Sequence, residues 1–186
     1  MAITQLDDNT ALIVIDLQYG IVVLPEEQAA QGVIDNTNRL IESFHHRRWP
    51  IVLANVSGHP AGRTDLQRVA STPSKNWTVL VDRLIRHTED ILITKRTWGA
   101  FSHSELHSKL QSLKVTQVVV VGIATSMGVM STAMQAYELG YNVTVCRDAI
   151  TDISLNNHLY AVEAIFPKIA EIGTTQDLLH FIQAKC

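Results

Sequence analysis

Uninterrupted runs of aliphatic and β-branched residues recur along the chain, and they constrain its fold more than any other feature. Six runs can be recognised, the last of them weak: residues 11–17 (ALIVIDL), 51–56 (IVLANV), 91–94 (ILIT), 118–123 (VVVVGI), 143–146 (VTVC) and 169–172. Strands that are apolar on both faces belong to a sheet that is covered on both sides, and such sheets are usually parallel. The runs therefore predict a central, mostly parallel sheet of six strands.

Apolar residues at helical spacing fill most of the intervals between these runs. Such stripes occur in residues 33–44, 106–113 and 178–182, and Gly140 suits the end of a further helix over residues 127–139. Strands that alternate with helices of this length form right-handed βαβ units. The expected fold is an α/β, Rossmann-like, three-layer α/β/α sandwich, and residues 1–186 are expected to form a single domain.

The composition narrows the classes of function. Hydrophobic residues make up 46% of the chain, which excludes a disordered protein, and the net charge of −3 offers no broad basic surface for nucleic acid. No apolar run approaches the ~20 residues of a membrane span, and the first residues do not resemble a signal peptide. With two cysteines and no Cys-x-x-Cys pair, the sequence predicts a cytoplasmic protein. The charge and the short apolar runs together predict that its partner is a small molecule rather than nucleic acid or a membrane.

Chemically useful residues stand where the predicted strands end. Asp16 closes the first run, Lys95 follows the third, and the fourth leads through Gly122 to Gly128 at the start of a helix. Ligands bind beyond the carboxyl ends of parallel strands, so these residues are expected to share one site. Each also has an ordinary structural explanation, as a turn residue, a solvated strand end or a close-packed glycine. Their joint placement favours a site, because buried charges are costly unless they are paired.

Five segments carry a resemblance to a known family. They are residues 11–18 (ALIVIDLQ), 93–101 (ITKRTWGAF), 121–125 (VGIAT), 132–136 (TAMQA) and 146–149 (CRDA). In this order they resemble the isochorismatase-like hydrolases, a cysteine hydrolase superfamily that includes nicotinamidases, N-carbamoylsarcosine amidohydrolases and isochorismatases. The resemblance covers nearly the whole chain. It implies that Asp16 is the catalytic aspartate, that Lys95 is the catalytic lysine, and that the fourth strand leads into the nucleophile elbow.

The sequence departs from the amidohydrolases of this family at two places. Gly128 stands at the position of the nucleophilic cysteine, and neither Cys146, in a predicted buried strand, nor Cys186, the last residue, is an obvious replacement. Ser126 is an alternative nucleophile, although no histidine base for it is apparent. Nicotinamidases also bind zinc through an Asp-x-His arrangement after the second strand, which residues 55–59 (NVSGH) lack. We therefore expect no metal and no cofactor.

The isochorismatases of the family share the replacement of cysteine by glycine, and they cleave a vinyl ether. The resemblance to them implies that Asp16 is the general acid and that Lys95 is its electrostatic partner. Burial raises the pKa of a carboxyl group and a neighbouring ammonium lowers it, so an acid and a base role both stay open. Two further hypotheses stay open as well. They are a catalytically inactive relative or small-molecule binding protein, and an amidohydrolase that uses water or Ser126.

Substrate contacts are expected close to these motifs. The resemblance implies a cis peptide bond before Ala124 and an anion pocket formed by the backbone N–H groups of Ala124 and Gly128. Further candidates for substrate binding are Thr125, Ser126, Trp98, Phe101 and Tyr19. Lys95, Arg96, Arg63 and Arg68 are candidates for binding carboxylates, and the last two lie in a long polar segment, residues 57–75, that is predicted to be a functional insert or a lid. The resemblance also implies a homo-oligomer, either a dimer or a tetramer.

Overall fold

The computed structural model describes residues 2–65, 74–102 and 104–185. Its strands are β1 (Thr10–Ile15), β2 (Ile51–Val56), β3 (Ile91–Lys95), β4 (Gln117–Ile123), β5 (Asn142–Thr151) and β6 (Glu171–Gly173). Its helices are α1 (Tyr19–Val22), α2 (Glu27–Arg47), α3 (Leu106–Ser112), α4 (Met130–Glu138), α5 (Leu155–Tyr160) and α6 (Thr175–Ala184). Residues 66–73 of the predicted insert, which include Arg68, lie outside the described residues, as does Cys186.

The strands form one sheet in the order β3-β2-β1-β4-β5-β6, and every neighbouring pair is parallel. All residues of β1 and β4 are buried, as the apolar runs predict for strands that are covered on both faces. The predicted α/β fold is confirmed, and the sheet is parallel throughout rather than mostly parallel. The strand order reverses between β1 and β4, so a crevice for a ligand is expected beyond their carboxyl ends.

The helices cover both faces of this sheet. α2 and α6 pack on one face, where the predicted stripe of Val33, Leu40 and Phe44 is buried. α3 and α4 pack on the other face through residues that include Leu106 and Ala133. In the described part of the chain, no helix is both long enough and apolar enough to cross a membrane.

Two strands, β1 and β5, end at least two residues away from their predicted ends. β1 stops at Ile15, before the apolar run ends, because Asp16 has a φ of 53° and leaves the extended conformation. β5 continues to Thr151, well beyond the predicted run, and its register against β4 shifts between Val120 and Gly122. Both differences concern the carboxyl end of the sheet, where the polar residues lie.

Candidate active site

A buried ion pair lies at the carboxyl end of the sheet. Asp16 follows β1, Lys95 is the last residue of β3, and β2 runs between these two strands. The Lys95 Nζ donates to Asp16 Oδ2 at 2.6 Å and to the carbonyl oxygen of Thr97 at 3.3 Å. Asp16 is 5% exposed and Lys95 is 3% exposed, so solvent screens the pair very little. The structure thus brings together the two charged residues that end predicted strands.

The surroundings of Asp16 raise the pKa of its carboxyl group above the usual value for an aspartate. Burial raises its pKa to about 6, although the charge of Lys95 and the hydrogen bond from Lys95 act in the opposite direction. Asp16 Oδ1 is buried and has no hydrogen-bond partner among the described residues. A carboxyl group in this state can hold and release a proton near neutral pH.

A cavity of about 250 Å³ opens onto the ion pair. Ala124, Gly128 and Trp98 line it beside Asp16 and Lys95. The rest of the lining is mainly apolar and consists of Ile21, Leu24, Val56, Trp77, Ile123, Met127 and Ile153, together with Gly58 and His59. This volume is close to the lower limit of about 300 Å³ for small-molecule sites, so the cavity fits a small organic ligand. Its apolar walls strengthen electrostatic interactions with the ion pair.

Gly128 packs directly beside the ion pair. A Cβ atom at this position would lie 2.8 Å from Ile15 Cγ2 and 3.2 Å from Asp16 Oδ2. A side chain here would therefore displace Ile15 or occupy the space next to the carboxyl group. The free cysteine of the described residues, Cys146, is buried in β5, and burial raises the pKa of its thiol further above the usual range. It behaves as a small hydrophobic residue, as predicted.

The turn after β4 has the backbone that the resemblance implies. The peptide bond between Ile123 and Ala124 is cis, and Thr125–Val129 form a single π-helical turn that leads into α4. Gly122 is required for this path, because its φ is 118° and a Cβ atom would overlap the carbonyl oxygen of Ile15. Ala124 and Gly128 thus lie on the same side of the turn, in the wall of the cavity.

Known proteins share this sequence pattern. The family described as "Isochorismatase domain" matches residues 10–177 of the chain. This chain belongs to the isochorismatase family.

Relatives within the isochorismatase family span nearly the full chain. The uncharacterized isochorismatase family protein YwoC of Bacillus subtilis is 34% identical, over 94% of this chain and 95% of its own length. The uncharacterized isochorismatase family protein YecD of Escherichia coli O157:H7 is 32% identical, over 92% and 95%. The solved structure of an isochorismatase family protein from Burkholderia thailandensis superposes with a TM-score of 0.91 at 34% identity, and the match covers 96% of this chain and 98% of that one.

Two side chains that were not predicted hold the elbow of this isochorismatase-family site. Thr125 Oγ1 lies 2.9 Å from His158 Nδ1, and Ser126 donates from its N–H and its hydroxyl to Asp152 Oδ2 at 2.7 and 2.8 Å. Burial lowers the pKa of His158, although Asp152 acts to raise it. Thr125 and Ser126 are thus held by structural contacts, and neither lines the cavity. Asp152 directly follows β5, so its position at the end of a strand could have identified it from the sequence.

Two of the predicted aromatic contacts also lie away from the cavity. The Tyr19 hydroxyl donates to Asp82 Oδ2 at 2.9 Å, on the far side of α1. The Phe101 ring stacks on Tyr141, with 5.8 Å between the ring centroids. Of the three aromatic candidates, Trp98 lines the cavity of this isochorismatase-family protein.

A buried glutamine, Gln18, holds the part of the cavity wall that contains Val56 and Trp77. Gln18 Nε2 donates to the carbonyl oxygens of Val56 and Trp77 at 3.0 and 2.9 Å, and Gln18 Oε1 accepts from the Val56 N–H at 2.7 Å. The side chain thereby joins the end of β2 to the segment that carries Trp77. The available signal was a glutamine two positions after Asp16, next to a buried strand.

The described residues contain no group of three or more His, Cys, Asp or Glu side chains arranged to hold a metal ion. His59 lines the cavity, and its Nδ1 lies 3.0 Å from the carbonyl oxygen of Pro60. Asp16, the carboxylate of this lining, is paired with Lys95. The cavity lining thus carries the Asp16–Lys95 ion pair.

Proposed function

We propose that this protein is a hydrolase that cleaves a vinyl ether in a small molecule of the isochorismate type, with Asp16 as the general acid. The observation that carries the proposal is the buried Asp16 carboxyl group beside the cavity, whose pKa of about 6 lets it carry a proton near neutral pH. Gly128 supports the proposal, because vinyl-ether hydrolysis requires no acyl-enzyme and hence no thiol nucleophile.

The proposed reaction begins when Asp16 transfers its proton to the terminal methylene carbon of the vinyl ether. The electron pair of the C=C bond forms the new C–H bond, which leaves an oxocarbenium ion beside the Asp16 carboxylate. Water adds to this cation and releases a proton that restores the Asp16 acid. The resulting hemiketal collapses by cleavage of its C–O bond to the leaving alcohol. One water molecule is consumed, and a ketone and an alcohol are formed.

Lys95 has an electrostatic role in this proposal. Its ammonium opposes the rise in the Asp16 pKa, and it stabilises the Asp16 carboxylate that remains after proton transfer. An anionic group on the substrate would meet Arg96 at the edge of the cavity, where the Arg96 Nε lies 3.5 Å from the position of a Cβ atom on Gly58. Arg63, exposed in the segment after β2, is a second candidate for this contact.

Turnover of isochorismate by the purified protein tests the proposal, with pyruvate detected through lactate dehydrogenase and NADH. Asp16→Ala is expected to lose at least about 100-fold of the activity, because it removes the proton donor. Asp35→Ala is the matched control, since Asp35 is an exposed aspartate that pairs with Arg83 on the surface. Absence of turnover by the wild-type protein would contradict the choice of isochorismate, and full activity of Asp16→Ala would contradict the role of Asp16.

The other hypotheses give different results in the same system. A binding protein without activity would bind isochorismate in calorimetry, and Asp16→Ala would bind it equally well. A Ser126-dependent amidohydrolase has less support, because the Ser126 hydroxyl donates to Asp152 and lies outside the cavity lining. Amidase activity gained by Gly128→Cys would indicate an amidohydrolase site from which only the thiol is missing.

A further inference from the structure

The segment that follows β3 supplies part of the cavity wall. Lys95 ends the strand, and Trp98 lines the cavity three residues later. Trp98 is 57% exposed, so the packing of its own ring does little to fix its position. The position of this part of the wall therefore depends on what holds the backbone on either side of Trp98. We name residues 97–102 the post-β3 segment.

Thr132 holds the post-β3 segment from α4. Its hydroxyl accepts a hydrogen bond from the Ala100 N–H at 3.1 Å and donates to the carbonyl oxygen of Gly128 at 2.7 Å. Thr132 and Ala100 are both completely buried, so loss of the hydroxyl would leave the Ala100 N–H buried without this partner. One hydroxyl thus joins the segment to the glycine at the elbow.

Gln135 makes a second attachment from the same side of α4, because residues three positions apart are neighbours on a helix surface. Its Oε1 accepts from the Phe101 N–H at 3.2 Å, and its Nε2 donates to Ser102 Oγ at 2.5 Å. Gly99 leaves room for this contact, because a Cβ atom there would overlap Gln135 Oε1. Three consecutive residues of the segment are therefore bound by two side chains of α4.

The other end of the segment is held at the ion pair. The carbonyl oxygen of Thr97 accepts from Lys95 Nζ at 3.3 Å, and the Thr97 hydroxyl donates to the carbonyl oxygen of Gly99 at 2.9 Å. Trp98 therefore lies between two fixed points, with Lys95 on one side and α4 on the other. Only the attachment to α4 can be removed without changing the ion pair itself.

We propose that Thr132 and Gln135 are positioning residues, which hold the post-β3 segment on α4 and thereby keep Trp98 in the cavity wall. Neither side chain lines the cavity, so each acts on a substrate through the segment. The inference rests on the proposed function, because it concerns how that site binds its substrate. A wall that must first be ordered weakens binding, so loss of the attachment should raise KM more than it lowers kcat.

Steady-state kinetics with isochorismate test this proposal. Thr132→Val and Gln135→Leu are each expected to raise KM at least about fivefold and to change kcat by less than about threefold. Thr132→Ser keeps the hydroxyl, so its KM should stay within about twofold of the wild-type value. Thr144→Val is the matched control and should leave KM unchanged, because Thr144 is also completely buried and accepts from Gln117 Nε2 at 2.9 Å near the amino end of the sheet.

A merely structural role for these residues would give a different result. General destabilisation reduces the folded fraction and hence the apparent kcat, and it leaves KM as it was. The proposal would be overturned if KM stayed within about twofold of the wild-type value in both Thr132→Val and Gln135→Leu, or if Thr144→Val raised it equally. Gln135 is only half-buried, so Gln135→Leu still decides the point if Thr132→Val does not fold.

Amide hydrogen exchange measured by NMR tests the attachment without any substrate. Exchange should become at least about tenfold faster at the Ala100 N–H in Thr132→Val and at the Phe101 N–H in Gln135→Leu. The Val14 N–H in the buried strand β1 is the internal reference, and an unchanged rate there shows that the effect is local. Unchanged exchange at Ala100 and Phe101 would overturn the proposal. A wild-type protein without isochorismate turnover would instead contradict the proposed function, and the exchange rates would still decide whether α4 holds the segment.

Discussion

Two polar clusters lie at opposite ends of the parallel sheet. Each contains an aspartate, and the two aspartates differ in their hydrogen bonding. At the amino end, Asp7 accepts hydrogen bonds from the side chains of Thr116, Asn142 and Gln5 at 2.7, 3.0 and 3.2 Å. At the carboxyl end, Asp16 accepts from Lys95 on one oxygen and has no partner on the other among the described residues. Both carboxylate oxygens of Asp7 accept hydrogen bonds, whereas Asp16 Oδ1 is an acceptor without a donor among the described residues.

The pKa values of the two aspartates follow from this difference. Partial burial alone would raise the pKa of Asp7, but its hydrogen bonds and the charge of Lys185 outweigh burial and lower that pKa. Burial of Asp16 is nearly complete and outweighs Lys95, so the pKa is raised to about 6. Asp7 therefore adds stability that is lost as the pH falls through its folded-state pKa. The contribution of Asp16 to stability depends on pH in the opposite direction, because its pKa is raised: this contribution is lost as the pH rises through about 6.

The same substitution at both aspartates is expected to give the largest contrast. Asp16→Asn removes the proposed acid and keeps the shape of the side chain, so kcat/KM for isochorismate should fall about 10²–10⁴-fold. Asp7→Asn is the matched control and should change kcat/KM by less than about twofold, because Asp7 lies at the other end of the strands. Steady-state kinetics of both variants decide the point. Equal losses in the two variants would show that activity depends on the fold in general rather than on the Asp16 carboxyl.

The pH dependence of the wild-type protein separates an acid from a base at Asp16. The acid must be protonated, so kcat/KM should fall about tenfold per pH unit above a midpoint near 6. The measurement is a pH–rate profile, with thermal unfolding recorded at each pH to exclude denaturation. A profile that rises through the same midpoint would assign Asp16 the role of a base instead.

Lys95→Met sharpens this assignment. The charge of Lys95 and its hydrogen bond both lower the pKa of Asp16, so their removal should move the falling limb of the profile to higher pH. Methionine keeps most of the apolar volume of the lysine stem, which limits the effect on packing. An unchanged midpoint would contradict the coupling of the two residues, even if the maximum rate fell.

Glycines at and away from the site should respond to alanine with opposite signs. A Cβ atom on Gly128 would approach Ile15 Cγ2 at 2.8 Å, so Gly128→Ala should destabilise the fold by about 1–3 kcal/mol. Gly32, within α2, has no atom within 4 Å of that position, so Gly32→Ala should stabilise it by about 0.5–1 kcal/mol. Urea unfolding of both variants provides the comparison. Stabilisation by Gly128→Ala would show that Ile15 yields without cost and that the site has spare room.

The Asp16 side of this contrast was predictable from the sequence, because the apolar runs locate the strands of a parallel sheet, and ligand sites lie beyond the carboxyl ends of such strands. Asp16 stands near the end of one run and Lys95 directly follows another, and their side chains meet at 2.6 Å although 79 positions separate them. Side chains from the connecting segments were harder to predict. Tyr19 stands close to Asp16 in sequence, but its hydroxyl bonds to Asp82, since α1 turns it away from the cavity. Apolar periodicity carries no information about such turns.

The loop residues Trp77 and Ile153 line the cavity but could not be predicted to do so. Both line the cavity, yet neither belongs to a strand run or to a motif of the family resemblance. Trp77 reaches the cavity because Gln18 binds its carbonyl oxygen, a tertiary contact across 59 positions. The charged pair of the site was therefore accessible from sequence, whereas most of its apolar wall depends on how loops pack onto the finished sheet.

The smallest expected effect lies at the amino end, in the stability of Asp7→Asn. The new amide side chain would keep one acceptor oxygen but lose the charge that strengthens three hydrogen bonds. The free energy of unfolding at pH 7 should therefore fall by about 0.5 kcal/mol. This value is low because Asp7 is partly solvated. The difference should shrink as the pH falls through the lowered pKa of Asp7, where the wild type loses the same charge. Urea unfolding at neutral and acidic pH measures both quantities. A gap that widened in acid would mean that Asp7, like Asp16, is protonated more easily in the fold, and the two ends of the sheet would then be alike.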